Sequence, residues 1–202
     1  MTGLSDTALV VIDVQNDFCP GGALPVPGGD EIVSGVNDLL QQHSIKILTQ
    51  DWHPMGHGSF ASSHSGKAPF ETAEMSYGPQ VLWPDHCVQG QAGAEFHPEL
   101  DSDSADLIIR KGFRPEVDSY SAFFENDRTT PTGLEGYLRT RGVEKLLLVG
   151  LATDFCVAYS ALDGARLGFD VTVDTALCRA IDMEQSLANA LDQMKKAGVT
   201  IL

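Results

Sequence analysis

The chain has 202 residues, enough for one sizeable core, and 43% of them are hydrophobic, a proportion that excludes a disordered chain. Basic residues number 13 and acidic residues 28, a formal charge of −15, and this balance disfavours nucleic acid and anionic membranes as partners. No run is apolar for long enough to span a bilayer, and the start "MTGLSDTALVV" has neither a basic leader nor a cleavage site, so the cytoplasm is the expected location.

In chain order, "ALVVIDV" (8–14) reads as a first strand, about 29–42 as an amphipathic helix, and "KILTQ" (46–50) as a second strand. Residues 51–104 then break the rhythm, being rich in Gly, Pro, His and Ser. A loop region this long inside a compact domain is usually functional, and its aromatics Trp52, Phe60, Phe70, Tyr77 and Trp83 argue for order. Further strands are expected at 105–111, 145–151, 170–175 and 198–202, with helices at about 131–141, 154–167 and 183–196. The third of these four helices has Thr153 as its expected N-cap and Gly168 as its stop. The strands are short and rich in Val, Ile and Leu, with little alternation, as expected of strands covered on both faces. The expected fold class is therefore three-layer α/β/α around a six-stranded, mostly parallel sheet, in one domain over 1–202.

In open parallel sheets, sites gather at the carboxyl ends of the strands. Asp13 follows the first strand, Asp51 and His53 the second, Lys111 the third and Cys156 the fourth, so an acid, a ligand pair, an amine and a thiol reach one sheet edge. Cys156 falls in the first turn of a helix, where backbone N–H groups and a nearby Lys111 would favour the thiolate. The alternative is a small buried Cys packing a strand–helix junction. Asp13 could exchange the thiol proton, or simply cap a loop. Lys111 could tune that pair, or be a strand-end lysine. Asp51 and His53, two apart, share a face of extended chain and could bind one ion, with His86 in "LWPDHCVQG" as third ligand. His57 is discounted because Pro54, Gly56 and Gly58 disfavour a helix there; His64 and His97 look more exposed. An Asp and two His suit Zn, Fe or Mn. The alternative is a polar loop with scattered histidines. Cys19, Cys87 and Cys178 lie in no CxxC motif and read as free, structural thiols.

The set "VVIDVQNDF", "TQDWHP", "VLWPDHCVQGQAGAEFHPEL", "IIRKG", "DSYSAF" and "GLATDFCV" resembles nicotinamidases of the isochorismatase-like cysteine hydrolase superfamily, over essentially the whole chain. The resemblance implies hydrolysis of nicotinamide to nicotinate and ammonia in NAD salvage, with pyrazinamide as a second substrate and one divalent metal ion, Zn before Fe or Mn, as cofactor. It implies that Asp13, Lys111 and Cys156 are a catalytic triad and that Asp51, His53 and His86 hold the metal. It further implies a cis peptide at Leu151-Ala152, an oxyanion hole from the N–H groups of Ala152 and Cys156, and a pocket lined by Phe18, Trp83 and Tyr120. One departure stands out: some relatives place another ligand after the Asp-x-His pair, where this chain has Ser59 with His57 nearby. A metal-free amidase of the superfamily and a non-catalytic binding module are the competing readings, and a homo-oligomer is left open.

Overall fold

The computed structural model describes residues 6–202. Its elements are β1 (Thr7–Ile12), α1 (Val33–Gln42), β2 (Lys46–Asp51), β3 (Thr72–Met75), β4 (Gly78–Val81), β5 (Leu107–Lys111), α2 (Leu134–Thr140), β6 (Lys145–Leu151), α3 (Ala158–Arg166), β7 (Asp170–Arg179), α4 (Ser186–Lys196) and β8 (Thr200–Ile201). Six of the strands form one sheet in the order β5-β2-β1-β6-β7-β8, and every pairing in it is parallel. Helices flank the sheet in the expected three-layer α/β/α arrangement, because each apolar strand must be covered on both faces. β1 is buried from Ala8 onward. α1 buries Val33, Val36 and Leu40, the spacing of one helical face.

Chain direction across the sheet decides where a site can form. From β1 the chain moves outward through β2 to β5, then jumps back to β6 on the other side of β1 and moves outward again. The switch point therefore lies between β1 and β6, and the crevice at their carboxyl ends is where ligands bind in such sheets.

Boundaries differ from expectation for local reasons. β1 stops at Ile12 because Asp13 turns into the left-handed region (φ 49°). α1 starts at Val33, after a turn in which Gly28 has φ 69°. β7 runs on to Arg179, since after an irregularity Cys178 and Arg179 pair with Gly150 and Leu151. The helix expected from 154 opens instead as a π-helical turn, Thr153–Val157, before α3. Its N-cap is Ala152, which makes no side-chain cap, so Thr153 is not the cap. Within 51–104 the chain forms the antiparallel hairpin β3–β4 and short 3₁₀ turns at Ala61–Ser63, Ala92–Ala94 and Ser102–Ser104, so this region is more ordered than a loop. No helix among the described residues is long and apolar enough to cross a membrane.

Gly150 shows how tightly β6 lies against β1. Its φ is 121°, and a Cβ there would sit 2.1 Å from the Ile12 carbonyl oxygen. Gly150→Ala is expected to cost about 3 kcal/mol or more through clash and strain. Urea denaturation measures it, and a wild-type midpoint would show that the strands can part at no cost.

Candidate active site

Four adjacent strands deliver one reactive group each. In sheet order these are Lys111 at the end of β5, Asp51 at the end of β2, Asp13 just past β1, and Cys156 in the turn after β6. Asp51 and Lys111 are direct register partners. The Lys111 ammonium is fully enclosed, 2.7 Å from Asp13 Oδ2 and 2.5 Å from Asp51 Oδ1. It also donates to the Ser119 carbonyl at 3.0 Å and lies 3.4 Å from Cys156 Sγ. Thr49 Oγ1 donates to Asp13 Oδ1 at 2.5 Å and accepts the Asp13 N–H at 3.1 Å, which fixes the carboxylate. Gln15 continues the sheet where β1 has ended. Its side-chain amide donates to the Asp51 carbonyl at 2.9 Å and accepts the Asp51 N–H at 2.8 Å.

Burial and charge set the protonation states. Burial pushes the Asp51 carboxyl up, but the Lys111 ammonium together with His53 and His86 outweighs it and holds Asp51 well below the usual carboxylate range. Burial lifts Asp13, and the Lys111 charge only partly offsets it. Burial would lower Lys111, but the two carboxylates raise it well above its ordinary value, so it stays charged. Burial also raises the Cys156 thiol well above its ordinary value, against the pull of Lys111, and Asp13 hydrogen-bonds it. The helix-start position favours a thiolate at Cys156, but burial pushes the thiol up, and Asp13 lies beside it as a carboxylate able to take its proton.

Next to this group, Asp51, His53 and His86 are buried, with one potential ligand atom each, all mutually within 4.8 Å. His53 Nδ1 faces the Gly112 carbonyl at 2.9 Å and His86 Nδ1 the Pro84 carbonyl at 2.8 Å. A carbonyl only accepts, so each Nδ1 carries the proton and each Nε2 presents a lone pair. Those Nε2 atoms lie 3.6 and 3.8 Å from Asp51 Oδ2. His53 Nε2 is buried with no hydrogen-bond partner. An orphaned imidazole nitrogen, a second imidazole and a carboxylate converging on one point fit a divalent cation such as zinc. Gly112 completes this corner: its φ is 67°, and a Cβ there would lie 2.4 Å from the His53 ring.

His57 lies against His53, with ring centroids 4.5 Å apart, and with His53 and Asp118 forms a second group of potential ligand atoms. Its Nε2 donates to the Arg114 carbonyl at 2.8 Å, and its Nδ1 pairs with Ser59 Oγ at 2.8 Å. Ser59 is thus engaged with His57 within a buried pair. His64 and His97 bond to the Gly58 carbonyl and the Glu99 N–H, outside the cluster.

The cavity above Cys156 is lined by Phe18, Trp83 and Tyr120, with Asp51 and His86 from the candidate metal cluster. Trp83 Nε1 donates to the Tyr120 hydroxyl at 3.0 Å, locking the two rings together. The Leu151-Ala152 peptide is cis, as expected, and Ala152 lines the same cavity. Leu24, Asp118, Phe155 and Ile181 complete it, and none was singled out from sequence. Phe155 carried a signal in its position, directly before Cys156; Ile181 carried none.

Lys111 is the one cation between the two buried carboxylates. In metal-free protein, Lys111→Met is expected to lose about 3–5 kcal/mol at pH 8. With the lysine gone, burial raises both carboxyls above their unfolded values, so their contribution is favourable at low pH and is lost as pH rises. The deficit should therefore shrink from pH 8 toward pH 5. Urea denaturation across that range checks it, and a deficit independent of pH would show that the carboxylates do not depend on Lys111.

The Isochorismatase domain model matches residues 7–202. A nicotinamidase from Acinetobacter baylyi is 53% identical over 199 residues, covering 98% of this chain and 93% of that protein. The solved Acinetobacter baumannii nicotinamidase/pyrazinamidase superposes with a TM-score of 0.97 at 51% identity, covering 100% of this chain and 97% of that one. The Pyrococcus horikoshii pyrazinamidase, solved in complex with zinc, gives a TM-score of 0.79 at 36% identity, covering 98% and 99%. The chain belongs to the isochorismatase family.

Proposed function

We propose that this chain is a metal-dependent nicotinamidase, one hydrolase domain over 1–202 that converts nicotinamide to nicotinate and ammonia in NAD salvage and also deamidates pyrazinamide. The observation that carries this reading is the meeting, around one cavity, of two sets of residues: Asp13, Lys111 and Cys156, and Asp51, His53 and His86. The named activities of the similar proteins support it, and the zinc complex of the Pyrococcus relative favours zinc over iron or manganese. Residues 51–104 act as its metal- and substrate-binding region. Free thiols at all four cysteines accord with a cytoplasmic location.

In this reading Asp51, His53 and His86 hold the ion. When bound there, it supplies a Lewis-acid anchor for the pyridine nitrogen. Phe18, Trp83 and Tyr120 hold the ring and exclude water. Asp13 takes the Cys156 proton as sulfur attacks the carboxamide carbon, and the Lys111 charge stabilises the anions exchanged between them. The N–H groups of Ala152 and Cys156 receive the developing oxyanion. Asp13 returns the proton to the amide nitrogen, the C–N bond breaks, ammonia leaves and a thioester remains. Asp13 then takes a proton from water, whose oxygen attacks the thioester carbon. The C–S bond breaks, nicotinate is released, and sulfur recovers the proton from Asp13.

Ammonia release from nicotinamide by purified protein, with and without prior chelation, is the decisive assay. Release should vanish on chelation and return with added divalent zinc, iron or manganese; no release from metal-replete protein would overturn the reading. Cys156→Ala should abolish turnover with the fold intact, and wild-type turnover in that variant would remove the thioester from the mechanism. His86→Ala should weaken metal binding by about 10-fold or more, as measured by metal content after dialysis, and unchanged content would remove His86 from the ligand set.

A further inference from the structure

Asp154 is a buried carboxylate, 5% exposed, that takes no part in the chemistry above. It sits in the π-helical turn two residues before Cys156. Its hydrogen bonds run to one other segment. Oδ1 accepts the Ile181 N–H at 3.1 Å, Oδ2 accepts the Asp182 N–H at 2.8 Å, and Oδ2 also accepts the Ser186 hydroxyl. These three bonds to one carboxyl tie the nucleophile turn to the connection between β7 and α4.

That connection would not hold its shape by propensity. Glu184 and Gln185 adopt φ values of 47° and 69°, a conformation that L residues other than Asn and Asp rarely take, and Asp182 shares it at 54°. Its side chains at 182, 184 and 185 are exposed, while Ile181 and Met183 pack against the core. Near its start, Ile181 is a wall of the cavity that contains Cys156, Trp83 and Phe155.

We propose that Asp154 is a positioning and specificity-determining residue: by gripping residues 181–186 it holds Ile181 against the cavity and so sets how large a group can reach Cys156. A wall held by these bonds does not yield to a larger ligand, so bulkier ring substituents are refused. The consequence for substrates, a preference for unsubstituted pyridine and pyrazine carboxamides, rests on the nicotinamidase reading. The steric consequence does not.

The test uses the full chain and two variants. Asp154→Asn keeps the shape but replaces an acceptor oxygen with a donor amide, so at least one of the bonds is lost. Ile181→Ala removes the wall and leaves the turn untouched. Each protein is alkylated with iodoacetamide and with the bulkier N-naphthyl iodoacetamide, and the labelled Cys156 and Cys178 peptides are quantified. In both variants the ratio of bulky to small label on Cys156 should rise by about fivefold or more, with buried Cys178 still unlabelled. General loosening would instead label Cys178 as well, and equal loss of both labels on Cys156 would place Asp154 in service of the turn alone; either result overturns the proposal. A rise in Ile181→Ala without one in Asp154→Asn also overturns it. In parallel, KM for nicotinamide should rise in Asp154→Asn with kcat little changed, while a 5-substituted nicotinamide gains relative to it. If wild-type protein releases no ammonia, the nicotinamidase reading fails, and the labelling ratios still decide the role of Asp154.

Discussion

A lysine ammonium shut away from water must have every N–H answered, and this requirement organises the site. Lys111 directs its hydrogen bonds to Asp51, the Ser119 carbonyl and the Cys156 sulfur, and ion-pairs with Asp13 Oδ2 at 2.7 Å. Those partners come from neighbouring strands, so the long lysine stem has to reach across β2 to meet the group on β1. A flexible stem ending in a compact charge suits that reach; the planar fork of an arginine would not serve three such acceptors in so small a space. The parallel order β5-β2-β1-β6 is what makes the reach short enough.

Asp51 belongs to both halves of the site. One oxygen answers Lys111, and the other faces the Nε2 atoms of His53 and His86. A cation held on the histidine side would draw charge from Asp51 and so weaken its attraction to Lys111, leaving Asp13 and the thiol to balance more of the ammonium charge. The reverse follows by linkage. The proposed metal end and the proposed nucleophile end are therefore one electrostatic unit, although Asp51 and Cys156 are far apart in the chain.

Much of this was legible in the sequence. Runs such as "LVVI" and "KLLLVGL" had the composition of doubly covered strands, and the residues after them were of kinds that seldom sit idle together. Lys111, Asp13 and Cys156 could be placed at one edge by that logic. What was not legible depended on contacts between distant segments. The thiol's protonation state is set by burial, which a helix-start argument on Cys156 alone does not see. Thr49 and Gln15 look like ordinary strand and turn residues until Asp13 and Asp51 are beside them. Gly112 matters because His53 occupies the space of its missing side chain, and no local pattern announces that. The hairpin β3–β4 was missed because its strands are only four residues each and bury a single residue, Gln80, leaving little apolar pattern to read.

The division of labour between sheet and connections has an evolutionary corollary. Asp13, Asp51, Lys111 and Cys156 stand at the carboxyl ends of neighbouring strands, while His86, Trp83 and the hairpin lie in the excursion between β2 and β5. That excursion can lengthen, shorten or be exchanged between related chains while the sheet registers that align the acid, amine and thiol stay unchanged. Only Asp51 is common property, because it anchors Lys111 as well as facing the histidines. Descendants of such a scaffold are free to shed the two histidines and recognise other molecules, but an heir that gave up Asp51 as well would have to find its lysine a new counter-charge.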